Sequence, residues 1–144
     1  MKFLIALFIL SVSQTSFSTE MEEVCKNEAK SKVRYYSWEY IYKDCISFSR
    51  QINTDQAVAC SEATILAKSF LDCLHIVKGN DDILPEQIIE AGNLPESEFA
   101  FTYTLKKIAE YPLYLTADEI KKCGVRKKEV RECIVESYQD AFNN

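Results

Sequence analysis

Six cysteines, one histidine and a surplus of carboxylates are the side chains through which this 144-residue chain could do chemistry. Cys25, Cys45, Cys60, Cys73, Cys123 and Cys133 stand 20, 15, 13, 50 and 10 positions apart. No C-x-x-C pair occurs, so the chain lacks both a redox dithiol and the closely spaced ligand pairs of a zinc site. No metal and no cofactor are expected. An even number of widely spaced cysteines instead implies structural disulfides formed in an oxidising compartment. His75 sits in Leu71-Asp72-Cys73-Leu74-His75, with Asp72 three residues back on the same helical face and able to pair with it. No activated nucleophile or oxyanion loop accompanies it, so it reads as a surface histidine and no catalytic residue is assigned. Two carboxylates would suffice for a glycosidase, but a pair facing across a cleft is not legible from spacing.

The elements that would position these residues begin after a leader. Met1-Lys2 is followed by the apolar run Phe3 to Leu10, and Ser16 and Ser18 supply the small residues read by a signal peptidase, so residues 1–18 are expected to be a secretory signal peptide. Residues 19–144 then form a single domain. Net charge is −5, and removing the leader takes away only Lys2, leaving 16 bases against 22 acids; binding to nucleic acid is disfavoured. No later segment is long and apolar enough to be a transmembrane helix. Only 3 glycines and 3 prolines occur, too few turn residues for a many-stranded sandwich or barrel. The expected fold is all-α.

Three ten-residue segments align without gaps, starting at Ile52, Ile83 and Leu115, at offsets of 31 and 32. Each has an aliphatic residue first, an acid fourth, an amide or acid fifth, Ala or Ile sixth, Cys or Ala ninth, and Ser or Gly tenth. This reads as a short helix with its acid in the first turn and positions six and nine on one face, ended by the tenth residue. A second helical stretch follows each segment, and in two units it carries Cys73 or Cys133. A looser copy ends at Cys25, with Cys45 as its second cysteine. The third unit has Ala91 at the ninth position and no cysteine in its second helix, the joint loss expected when a disulfide joins the two helices of one hairpin. The pairing that follows is Cys25–Cys45, Cys60–Cys73 and Cys123–Cys133. The architecture expected is a set of disulfide-stapled helical hairpins packed as a small repeat bundle or short α-solenoid.

Along the chain, residues 20–36 read as a first helix with a Thr19/Glu22 capping box, and residues 54–61 and 63–78 as the second hairpin. The segment Tyr35 to Tyr42 alternates like a strand, but Trp38, Ile41, Cys45 and Phe48 also share one helical face, and helix is preferred for want of a strand partner. Pro85 and Pro95 fit first helical turns. Thr116 and Glu119 form the clearest capping box, and residues 125–141 the terminal helix.

Charge and aromatic residues point to function. Six acids lie between Asp81 and Glu98 without a base, and six bases lie between Lys121 and Arg131 against Glu129 alone. Lys127, Lys128 and Arg131 on the terminal helix could meet an acidic protein or an anionic surface, with Lys128–Glu132 an i,i+4 pair. Tyr36, Trp38 and Tyr40 exceed what a small core needs and suit an exposed contact. In gross composition the chain is similar to insect odorant-binding proteins, which are also small, exported, acidic and helical with six cysteines. Their closely spaced second and third cysteines are replaced here by the 15-residue interval from Cys45 to Cys60, so no ligand residue carries over. The expected function is that of a secreted or periplasmic, non-enzymatic binding protein; a carrier of a small apolar ligand is the alternative, and a secreted hydrolase comes behind both.

Overall fold

Among the residues described by the computed structural model, 20–32, 36–95, 98–125 and 129–143, all regular structure is helical. Helix α1 covers residues 20–31. It is followed by α2 (Trp38–Ser47), α3 (Thr54–Ala63), α4 (Ala67–Val77), α5 (Pro85–Gly92), α6 (Glu98–Glu110), α7 (Ala117–Val125) and α8 (Val130–Asn143). The expected signal peptide, Thr19 of the first capping box, and the bases Lys127 and Lys128, with the Lys128–Glu132 pair, lie outside the described residues.

Local chemistry explains where the helices start. Ser37 is extended and its Oγ accepts a hydrogen bond from the Tyr40 N–H at 3.3 Å, which opens α2 and resolves the ambiguous aromatic segment as helix. Asn53 caps α3 in the same way through the Gln56 N–H, at 2.8 Å. The Thr116/Glu119 box is formed, with Thr116 N–H donating to Glu119 Oε2 at 2.8 Å and Glu119 N–H to Thr116 Oγ1 at 3.4 Å. Gly79 follows α4 with φ of +72°, a conformation that favours glycine, and its N–H reaches Gln51 O at 2.7 Å.

All three disulfides pair as the hairpin rule requires: Cys25–Cys45, Cys60–Cys73 and Cys123–Cys133, with Cα–Cα separations of 5.6, 5.7 and 5.5 Å. They join α1 to α2, α3 to α4 and α7 to α8. Loops of this size contribute about 3 kcal/mol each by restricting the unfolded chain. They also shorten the helices relative to the sequence reading, because two helices bridged over so few residues need a turn between them. The first helix therefore ends at residue 31 instead of 36, and the last begins at Val130 instead of 125. Helix α4 starts at Ala67 rather than 63, since Thr64 is extended and donates its hydroxyl to Cys60 O at 2.6 Å. Pro95 precedes α6 without entering its described range.

The three aligned segments bury matching positions. Their first residues (Ile52, Ile83, Leu115), sixth (Ala57, Ile88, Ile120) and ninth (Cys60, Ala91, Cys123) are all buried in one core. Helices α3, α5 and α7 pack successively on one another, as do α2, α4, α6 and α8. The fifth residue reaches across to the next unit: Gln56 Nε2 donates to Asn80 O and Ile83 O, both at 2.9 Å, and Gln87 Nε2 to Pro112 O at 2.8 Å and Leu115 O at 2.5 Å. These amides pair with carbonyls of the loops that lead into the next first helix, Asn80 O being shared with the Ile83 N–H at 3.4 Å. Glu119, the third member, is turned back onto Thr116.

The tenth residue ends the helix in α5, whose last residue is Gly92, but not in the other two units, since α3 continues past Ser61 and α7 past Gly124. Smallness there serves packing. A Cβ on Gly92 would lie 2.6 Å from Ala63 O, and one on Gly124 would touch Leu94 and Pro95. Ser61 makes the corresponding contact with α1, donating its hydroxyl to Glu28 Oε1 at 2.5 Å. Lys32, ion-paired to Glu28 at 2.7 Å, also donates to Ser61 O at 3.1 Å and Thr64 O at 2.6 Å. Helix α3 has no base in its own last turn, and this ammonium from the neighbouring hairpin serves its C-terminal carbonyls. The pair is nine-tenths buried, and these extra hydrogen bonds offset its desolvation.

Candidate functional site

Two helical faces from different hairpins form a groove. Tyr36, Tyr40, Asp44 and Phe48 recur every four residues along α2 and its flanks, while Lys68, Leu71, Asp72 and His75 follow the i, i+3, i+4, i+7 pattern on α4. Ile41, buried with Ala29 and Ala67, holds α2 against α1 and the start of α4. Together the eight residues line an open groove of about 370 Å³. The Cys25–Cys45 and Cys60–Cys73 bridges tie its two walls to α1 and α3.

Tyr36 and Tyr40 are stacked, with ring centroids 5.3 Å apart and planes 21° from parallel, and leave 39% and 51% of their surface in solvent. At the other end of the groove Phe48 meets His75 edge to face at 6.1 Å. Lys78 Nζ lies 5.5 Å from the Phe48 centroid and 3.2 Å from His75 Nδ1. An ammonium only donates, so Nδ1 accepts in this contact. Asp72 is ion-paired with Lys68. The Asp72–His75 pairing that the sequence allowed is thus replaced by two separate lysine contacts.

Of the three aromatic residues expected to bind, Tyr36 and Tyr40 come together in the groove and Trp38 does not line it. Trp38 packs on Tyr42 at 6.5 Å, and the Tyr42 hydroxyl donates to Glu22 at 3.4 Å. Phe48, Asp44 and Leu71 were not singled out by sequence, although the four-residue spacing from Tyr36 to Phe48 was there to be found.

The basic face is divided. Arg131 is in the first turn of α8, with its guanidinium 5.3 Å from the Tyr103 ring centroid. Lys127 and Lys128 lie outside the described residues. The exposed pair Lys121 and Lys122 belongs to α7, where with Asp118 and Val125 it borders a shallow hollow of about 510 Å³. At the opposite end of the helices Tyr138 and Tyr111 pack 4.3 Å apart. The hydrogen bond to Tyr111, with partial burial and nearby acidic groups, pushes the Tyr138 hydroxyl up to about 12. Among the described residues, no group of three His, Cys, Asp or Glu side chains is placed to hold a metal ion, and no helix is long and apolar enough to cross a membrane. Comparison with protein-family models, curated proteins and solved structures gives no match.

Proposed function

We propose that this chain is a secreted or periplasmic, non-enzymatic binding protein, a short α-solenoid of stapled hairpins whose α2–α4 groove engages another macromolecule. The observation that carries this reading is the stacked, solvent-facing Tyr36–Tyr40 pair set in a groove whose walls are covalently fixed. Tyrosines left in water at such a place gain most when a partner covers them, and a preformed frame reduces the ordering cost of binding. The same-register contacts of Gln56 and Gln87 favour the repeat description. Lys121 and Lys122, with Lys127, Lys128 and Arg131, supply a second, electrostatic contact. The groove and the α7 hollow both open to solvent, which suits a partner's side chains better than an enclosed apolar ligand.

The test is site-specific photocrosslinking in the native compartment. A benzophenone side chain at Tyr40 should give a discrete adduct that is absent when the same group replaces the exposed Asp81. Identical patterns at both positions, or none at either, would remove the groove from the binding reading.

A further inference from the structure

We propose that the α2–α4 groove binds a neutral sugar chain of gluco-configured pyranose units, which stacks on Tyr36 and Tyr40 and is hydrogen-bonded by Asp44 and by the α4 wall. This rests on the binding reading above, whose macromolecule it names as a polysaccharide. Ile41 packs with Ala67 near the start of α2 and α4, and Phe48 meets His75 near their ends, so the two walls run side by side in the same sense. The groove is therefore ordered along its length. The tyrosine pair and Lys68 lie at its start, Asp44, Leu71 and Asp72 in its middle, and Phe48 with His75 at its finish.

Charge decides against an ionic ligand. From cap to cap, α2 and α4 carry Glu39, Asp44 and Asp72 against Lys43, Lys68 and Lys78, three of each sign, so the two walls have no net charge. An anion would meet Asp44 and Asp72, and a cation Lys68 and Lys78. What these groups offer instead is hydrogen bonding of both kinds: tyrosine hydroxyls, an ammonium, two carboxylates and, because Nδ1 accepts from Lys78, a proton on His75 Nε2. Lys68 and Asp72 are already paired. Among the described residues, no hydrogen bond or ion pair reaches the half-buried Asp44 carboxylate; Ser47 Oγ donates to its backbone carbonyl only. A carboxylate accepts from two donors at once, and neighbouring ring hydroxyls of a sugar supply two.

The apolar surface separates a sugar from a peptide. Solvent-open walls admit either, but Phe48 and Leu71 are each only 8% exposed, their surface already spent in the core, so the groove has no apolar floor in which a peptide's aliphatic side chain can be buried. The apolar surface still available is that of the tyrosine rings, flat and edged by hydroxyls. A gluco-configured ring matches it. With every ring hydroxyl equatorial, both faces of the pyranose present C–H groups to an aromatic face, and its rim presents hydroxyls to the polar groups beside it. An open groove also accepts a chain that continues beyond it, and walls held by two disulfides spare part of the ordering cost.

The exported, disulfide-bonded chain is titrated by calorimetry with four neutral gluco-configured probes, cellohexaose, laminarihexaose, maltohexaose and N-acetylchitohexaose, and with hexagalacturonate and hexa-arginine as charged comparisons. At least one neutral chain should bind and shift the ring-proton resonances of Tyr36 and Tyr40, with an affinity that added salt leaves unchanged. Tyr40→Ala should weaken that binding at least about fivefold through the lost stacking. The isosteric Asp44→Asn should weaken it about threefold or more, since a charged acceptor becomes a neutral one. Both variants should keep the parent's helical circular dichroism, and Glu86→Gln, on an exposed site of α5, should bind like the parent. No binding by any of the four neutral chains, tighter binding of either charged probe, or an undiminished affinity in Tyr40→Ala or Asp44→Asn would overturn the proposal. A discrete Tyr40 photoadduct with a protein, in a chain that binds none of the sugars, would leave the binding reading standing and remove the polysaccharide from it.

Discussion

Cysteine at both Ala91 and Thr104 should close a fourth disulfide in the one hairpin that lacks it. Ala91 is the ninth residue of its segment, the place held by Cys60 and Cys123 in the others. Thr104 is the seventh residue of α6, as Cys73 is of α4, and it follows Ala91 by the same 13 positions that separate Cys60 from Cys73. Both are buried, and α5 packs on α6 as α3 does on α4. Thr104 Oγ1 has no hydrogen-bond partner among the described residues, so replacing it by sulfur sacrifices none. Closing this loop removes about 3 kcal/mol of unfolded-state entropy. That corresponds to roughly 10 °C in Tm for a domain of this size. Oxidatively refolded A91C/T104C should be two mass units lighter than its reduced form at those sites and should melt higher than the parent, with the gain abolished by reducing only the new bridge. Free thiols at 91 and 104 after refolding, or a scrambled peptide map, would refute the equivalence of the third hairpin with the second.

Two further outcomes follow from buried and clustered polar groups. Gln87→Leu strands the carbonyls of Pro112 and Leu115 and the Leu84 N–H, which now donates to Gln87 Oε1 at 2.8 Å; denaturant unfolding should show a loss of about 2–4 kcal/mol, and a change under 1 kcal/mol would contradict the assigned role. The Tyr138 hydroxyl is held above its unfolded value near 10, so it contributes stability that is complete below that pH and is lost as pH rises towards about 12. Ultraviolet titration of tyrosinate should therefore find late-ionising tyrosine, and Tyr111→Phe, which removes the largest cause, should bring it earlier; superimposable titration curves would count against the contact.

Much of the fold was legible because its constraints are local or covalent. The hairpin rule gave all three bridges, hydroxyl and carboxylate spacing located the Thr116/Glu119 box, and aliphatic positions one and six of each segment marked the core. The tenth position was only partly legible because smallness serves two purposes: Gly92 does close α5, yet Gly92 and Gly124 are also small to admit the neighbouring unit, and α7 runs on past Gly124. The Glu28–Lys32–Ser61 cluster and the α2–α4 groove went unseen for a related reason. Their members lie about thirty residues apart on separate hairpins, and only the stacking of units sets which faces meet. Tyr36 and Tyr40 were named from aromatic abundance, a signal blind to the rotation that sends Trp38 to another face.

The glutamine amides give the stack a sense of direction. Gln56 and Gln87 each hand two N–H groups forward to the following hairpin, whereas Glu119 has no side-chain amide to donate and accepts instead at its own helix start. The α7–α8 hairpin thus receives such a contact without offering one, so these bonds run one way along the chain.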